Sequence, residues 1–297
     1  MTGKGSCPES GVLKLRFVAS RFQNMSTDVD SFNPAPARAL SSTSIVPRGC
    51  KGYASLVHGA LSPAECADIV RRSEDVGFTT LNYPGSPYTP DYRNNTRAIF
   101  TDASLAATLF QRIKALVPST MLYRGALWTA CGCNERFRSC RGQPGYVFGA
   151  HCDAAFARRD GSERSFLTVN IYLNRIPRHR AGRTLFLEPS WPAAESPSVQ
   201  PEGGLALIFE HHLRHSGEKL LEVESGRGAG GGEGVGGCET SASGEGDAEF
   251  AALRKFWTTP SPSDRILRGN AKYLLRTDVM YARVVGDAGD AKGGARK

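Results

Sequence analysis

The second half of the chain is broken into short β-rich runs, and this limits the available folds more than any other feature. From about residue 125, the segments FLTVNIYLN, RTLFLEP, GLALIFE and AKYLLRTDVMYARVV are brief and separated by Gly, Pro and Ser turns. Runs of this kind build a sandwich or barrel. Helical patterning precedes them. Ser62, Pro63 and Glu65 supply a cap, a first-turn proline and a capping-box partner at one helix start. A second helix is expected in DASLAATLFQRIKALVP, where Leu105, Leu109, Ile113 and Leu116 recur at helical spacing and Pro118 stops the pattern. Helices first and strands afterwards predict an α+β, mainly β chain.

The flanks and one internal segment lack this patterning. Residues 1–50, rich in Ser, Pro and Ala, are read as a disordered leader, with the folded domain spanning 51–285 and a loose tail at 286–297. The N-terminus is poor in acids and fits an organelle transit peptide, an untargeted leader, or translation starting at Met25. The segment SGRGAGGGEGVGGCETSASGEGD is read as a disordered insertion at about 225–247, because it has almost no apolar surface to bury. No Lys-Ser/Thr pair follows its glycines, which argues against a phosphate-cradling loop. Just after it, EFAALRKFW is expected to form a short helix docking Phe250, Leu253 and Phe256.

Bulk properties narrow the function. The formal charge is +8, but Lys and Arg are spread along the 297 residues with no basic run interleaved with aromatics, so no nucleic-acid partner is expected. No apolar run approaches the ~18 residues of a spanning helix, so no membrane span is expected. The eight cysteines are scattered, and the one cluster, CGCNERFRSC, fits no common zinc framework. They are read as reduced thiols in an intracellular, cytoplasmic protein.

The chemistry concentrates around YVFGAHCD, just before FLTVNIYLN. On a strand, residues two apart point the same way, so His151 and Asp153 can converge on one ion. A further His comes from GLALIFEHHLRHSGEKL, which offers His211, His212 and His215. Two imidazoles and one carboxylate on one side of a metal leave its other side open, which suits ferrous iron that must also bind a co-substrate and dioxygen.

In order along the chain, YRNNTR, NERFR, PGYVFGAHCD, RSFLTVNIYLN, GRTLF, GLALIFEHHLRHSGE and GNAKYLLRTDVMY resemble the prolyl 4-hydroxylase-like branch of the iron(II)/2-oxoglutarate-dependent dioxygenases, over roughly Tyr53 to Arg283. The resemblance implies a double-stranded β-helix, a cupin-like jelly roll supported by the N-terminal helices. It implies His151, Asp153 and His215 as iron ligands, His215 being the histidine just before the Gly-Glu pair. His211 and His212 would then line the mouth or face solvent. Lys272 matches the basic residue that holds the far carboxylate of 2-oxoglutarate, and Tyr172 a tyrosine that donates to the same group. Arg276, on the face of Lys272 if the strand alternates regularly, is left open between a contact behind the site, a substrate contact and an alternative carboxylate clamp. Thr168 shares the face of Tyr172, and Arg93, Asn94 and Asn95 resemble a substrate-side segment.

The activity implied is hydroxylation of an unactivated C–H bond with release of succinate and CO2. It would use Fe(2+), 2-oxoglutarate, dioxygen and ascorbate as reductant, and act on a protein or peptide, peptidyl proline included, or on a small molecule. Three departures stand out. Gly142 occupies a position usually held by Tyr; Arg183 replaces an acid; and the connection from His215 to Lys272 is unusually long. They leave open a non-catalytic β-helix module that has lost 2-oxoglutarate binding, and a zinc hydrolase using the same ligands is a further alternative.

Overall fold

The computed structural model describes residues 40–222 and 270–284. The remainder of the expected leader, the Gly-rich insertion, the helix after it and the tail lie outside the described residues. In chain order the elements are β1 (Ser42–Ser44), β2 (Ala54–Val57), α1 (Pro63–Val76), β3 (Thr79–Thr80), β4 (Thr96–Thr101), α2 (Ala103–Ile113), β5 (Thr120–Tyr123) and β6 (Ala126–Cys133). Then follow β7 (Arg136–Gly142), β8 (Phe148–His151), β9 (Glu163–Tyr172), β10 (Thr184–Phe186), β11 (Ser198–Val199), β12 (Ala206–Glu210), β13 (His215–Gly217) and β14 (Lys272–Arg283).

Both helices start as their sequences dictate. Ser62 accepts from the Glu65 amide at 3.2 Å, and Glu65 returns a bond from the Ser62 amide at 2.7 Å, closing the capping box of α1. Asp102 caps α2 by accepting from Leu105 N at 2.8 Å. The α2 helix ends at Ile113, short of Pro118; Leu116 continues the apolar period only through a tight turn, its N–H donating to Ile113 O at 2.8 Å. Glu65 also takes the Arg112 guanidinium at 2.7 Å, so one carboxylate both caps α1 and ties it to α2.

The strands form two antiparallel sheets in a jelly-roll arrangement. The large sheet runs β1-β2-β12-β9-β14-β7-β4-β3, with the β5–β6 hairpin attached to β14; the small sheet runs β11-β10-β13-β8. From β7 to β14 the chain passes back and forth between the sheets, as a double-stranded β-helix requires. Phe186 and Val199 of the small sheet meet Tyr172, Leu207 and Phe209 of the large sheet in one buried cluster. Helix α1 packs against β4 and α2 against β6. Strand β9 is buried on both faces, Leu167, Val169 and Ile171 being as buried as Thr168 and Tyr172. This is why FLTVNIYLN reads as a nearly continuous apolar run.

The leader boundary expected at residue 50 is corrected: β1 already pairs with β2, Ser42 opposite Val57. Its sequence, STS, is an exposed polar edge and carries no apolar signal. The Arg180 guanidinium donates to the carbonyls of both Leu221 and Asn270, each at 2.9 Å from Nη2. Among the described residues, no helix is long and apolar enough to cross a membrane, and the six cysteines there are unpaired.

Candidate metal and co-substrate site

His151 ends β8 and His215 begins β13, and the two are direct cross-strand partners. One residue beyond His215 the register shifts, so that Gly217 faces Phe148. The imidazole centres lie 4.3 Å apart. Asp153 is beyond the end of β8, so strand alternation is not what aims it. Its N–H instead donates to His211 O at 2.8 Å, which turns the carboxylate back toward the two rings. The Asp153 oxygens then lie 3.7 Å from His151 Nε2 and 3.8 Å from His215 Nε2, and the three ligand atoms fall within 4.8 Å of one another.

The surroundings leave these atoms ready to bind a cation. His151 Nδ1 meets Gly149 O at 2.8 Å and His215 Nδ1 meets Leu213 O at 2.9 Å. Only a protonated Nδ1 can donate there, so each neutral ring presents a bare Nε2. Burial, aided by His215, pushes His151 down to about 4, and burial also lowers His215. Burial works to raise the Asp153 carboxyl, but Arg276, His215 and the Thr168 hydroxyl hold it below its ordinary value. Two neutral imidazoles and a carboxylate suit a first-row divalent metal, iron(II) included.

Behind Asp153 runs a chain of hydrogen bonds. Thr168 Oγ1 donates to Asp153 Oδ2 at 2.6 Å, which leaves its oxygen to accept from His211 Nδ1 at 2.9 Å. His211 Nε2 then accepts from Ser165 Oγ at 2.8 Å, and Ser165 in turn accepts from Phe156 N at 2.9 Å. Every donor in this chain has one acceptor. His211 is thus buried behind the site and does not line its mouth, whereas His212 is exposed. Arg276 Nη1 sits 2.7 Å from Asp153 Oδ1 and Nη2 lies 3.6 Å from Asp278, so among the three roles left open its contacts are those of a partner to Asp153.

A cavity opens beside the three ligand atoms, lined also by Arg93, Asn95, Cys140, Tyr146, Phe148, Asn170, Thr184, Lys272 and Arg276. Lys272 begins β14 opposite Gly142. Its Nζ donates to Gly182 O at 2.7 Å and lies 5.7 and 5.5 Å from the ring centres of Tyr146 and Tyr172. Burial lowers it to about 8, so at neutral pH it is a desolvated cation. The Tyr172 hydroxyl departs from expectation. The residue is fully buried and absent from the cavity wall; its oxygen is bonded to Thr184 Oγ1 at 2.6 Å, and Thr184 is the group that faces the cavity. Strand alternation reveals the face of a side chain but not which hydroxyl lies between it and the cavity.

At the mouth, Arg93 lies 4.1 Å above the Phe148 ring, and Phe148 stacks on His151 at 3.7 Å. Arg93 Nε donates to Asn95 Oδ1 at 2.9 Å, while Asn94 bonds Val147 N and Gly145 O and holds this loop to the β7–β8 turn. Arg183, just before β10, pairs at 2.6 Å with Glu218, just after β13, which gives the arginine that stands in place of an acid a partner of its own. Tyr146 and Thr184 are cavity residues that the sequence reading missed.

No family model matches the sequence, and no curated protein matches it. Among solved structures the chain is similar to 2-oxoglutarate oxygenases, prolyl hydroxylases among them. One is the viral collagen prolyl hydroxylase of Paramecium bursaria Chlorella virus-1 with 2-oxoglutarate (12% identity, 77% of this chain and 96% of that one, TM-score 0.40). Another is a Pseudomonas putida prolyl-4-hydroxylase (12%, 83% and 93%, TM-score 0.42). A third is a Trichoplax adhaerens prolyl hydroxylase in complex with a hypoxia-inducible factor peptide fragment (10%, 77% and 83%, TM-score 0.42).

Proposed function

We propose that this chain is an iron(II)- and 2-oxoglutarate-dependent oxygenase that hydroxylates a C–H bond of a protein or peptide, with peptidyl proline the first candidate. The observation that carries the reading is the convergence of His151, Asp153 and His215 beside a cavity that also holds a buried, charged Lys272. Those three residues would hold the metal. When bound, iron(II) supplies activation of dioxygen, coupled to conversion of the keto acid to succinate and CO2.

The remaining work falls to the protein. Lys272 offers a cation, and its desolvation favours an incoming carboxylate over water. Thr168 and Arg276 fix the Asp153 carboxylate from two sides, as groups behind metal ligands commonly do. Arg93, Asn95 and Phe148 form the wall against which the prime substrate would rest.

The test is succinate release from purified protein given ferrous iron, ascorbate and 2-oxoglutarate, with and without peptide substrates, against a His151→Ala control. Release above the control is expected even without prime substrate, through uncoupled turnover. Equal release from both proteins in every mixture would sink the proposal.

A further inference from the structure

Gly142 and Tyr146 together seat a phenol inside the cavity. Tyr146 closes a turn by donating its N–H to Gln143 O at 2.8 Å, and this turn is fastened to Leu220, whose N–H donates to Tyr146 O at 2.8 Å. The ring packs with Ile176 and Leu220 and crosses directly over Gly142. A Cβ at position 142 would lie 2.6 Å from Tyr146 Cγ, so any side chain there would evict the ring. At its other end the hydroxyl reaches β13, where a Cβ at Gly217 would come within 3.1 Å of the oxygen.

The hydroxyl therefore lies against the strand that begins with His215, and Lys272, whose backbone partner is Gly142, holds its Nζ 5.7 Å from the centre of the same ring. Tyr146 is only 8% exposed and lines the cavity, yet its hydroxyl has no hydrogen-bond partner among the described residues. The other tyrosine beside Lys272 is differently placed, since the Tyr172 oxygen is already bonded to Thr184. Buried polar groups are almost always satisfied, so a phenol left open toward a cavity calls for a ligand acceptor.

Burial keeps the Tyr146 phenol protonated well beyond the neutral range, and it is therefore a donor. From this placement we infer that Tyr146 donates a hydrogen bond to the far carboxylate of 2-oxoglutarate beside Lys272, and that Gly142 is the residue that makes room for it. The inference rests on the oxygenase reading above and assigns a residue for which the sequence reading had only a loss at Gly142.

The experiment titrates 2-oxoglutarate into Mn(II)-loaded full-length protein, comparing wild type with Tyr146→Phe, Gly142→Ala and Tyr172→Phe. A hydrogen bond to a charged group is worth a factor of about ten or more, so Tyr146→Phe is expected to bind at least about tenfold more weakly. Gly142→Ala should also bind more weakly, because its methyl displaces the ring, and Tyr172→Phe should lose less than Tyr146→Phe. Mn(II) affinity, measured separately, should be unchanged in all three, showing that the folded site persists. Wild type that fails to bind 2-oxoglutarate overturns the oxygenase reading and the inference together. Wild type that binds, with Tyr146→Phe binding equally well or Tyr172→Phe losing more, overturns the inference alone.

Discussion

Replacing Lys272 by Met separates the two roles a buried cation can have. The amine is fully enclosed and burial lowers it from 10.5 to about 8. At about 1.4 kcal/mol per tenfold change in a proton equilibrium, keeping it charged at pH 7 costs folding roughly 3 kcal/mol. Methionine removes that cost and fills similar volume, but leaves Gly182 O without the donor now 2.7 Å away, a loss of about 1–3 kcal/mol. Lys272→Met is therefore expected to be as stable as wild type or more stable at pH 7 by urea unfolding. The sign of the pH dependence follows from linkage. Between about 8 and 10.5 the unfolded chain holds the Lys272 proton and the native chain has released it, so this residue makes wild type more stable as pH rises through that window. Below it the cost is fully present. The advantage of the variant should thus shrink from pH 7 to pH 10. In the same variant, 2-oxoglutarate binding should weaken by about 2 kcal/mol or more, at least roughly thirtyfold, as when one partner of a buried charge pair is removed. A variant destabilised by more than about 2 kcal/mol at pH 7, or one that binds the keto acid normally, would refute the reasoning.

Thr168→Val removes the hydroxyl on Asp153 Oδ2 and should weaken Mn(II) binding by about tenfold or more in competition with a colorimetric chelator; unchanged affinity would mean that Arg276 alone holds the carboxylate. Wild-type affinity for 2-oxoglutarate should fall as pH rises beyond about 8, where Lys272 loses its charge, and a titration flat to pH 10 would exclude that amine as the clamp. Gly204 has φ +76° and a Cβ there would strike the Leu61 carbonyl oxygen, so Gly204→Val should cost about 2 kcal/mol or more in thermal unfolding; a neutral result would show that this turn can rearrange.

What the sequence made legible was local. The capping box of α1, the apolar period of α2 and the β9, β10, β12 and β14 runs all depend on spacings within one segment, and all are found in the fold. His151, Asp153 and His215 were named through a motif and do come together, although a backbone bond to His211, not strand alternation, aims Asp153. The misreadings involve partners distant in the chain. His211 reaches Ser165 and Thr168 across 46 and 43 positions, and β1 takes its identity only from pairing with β2. Tyr172 shows the same limit: its face was legible, but the Thr184 hydroxyl between it and the cavity was not.

The clamp made by Arg180 has a consequence for engineering. Because one guanidinium nitrogen bonds both Leu221 O and Asn270 O, the two described stretches that flank residues 223–269 are held side by side. The span needed to bridge β13 to β14 is accordingly tiny, and the entropy of closing whatever lies between grows only logarithmically with its length. That junction behaves as a port. A short linker in place of residues 225–247, or a fluorescent reporter domain spliced in with them, should leave the ligand set and Lys272 undisturbed so long as Arg180 keeps both carbonyls.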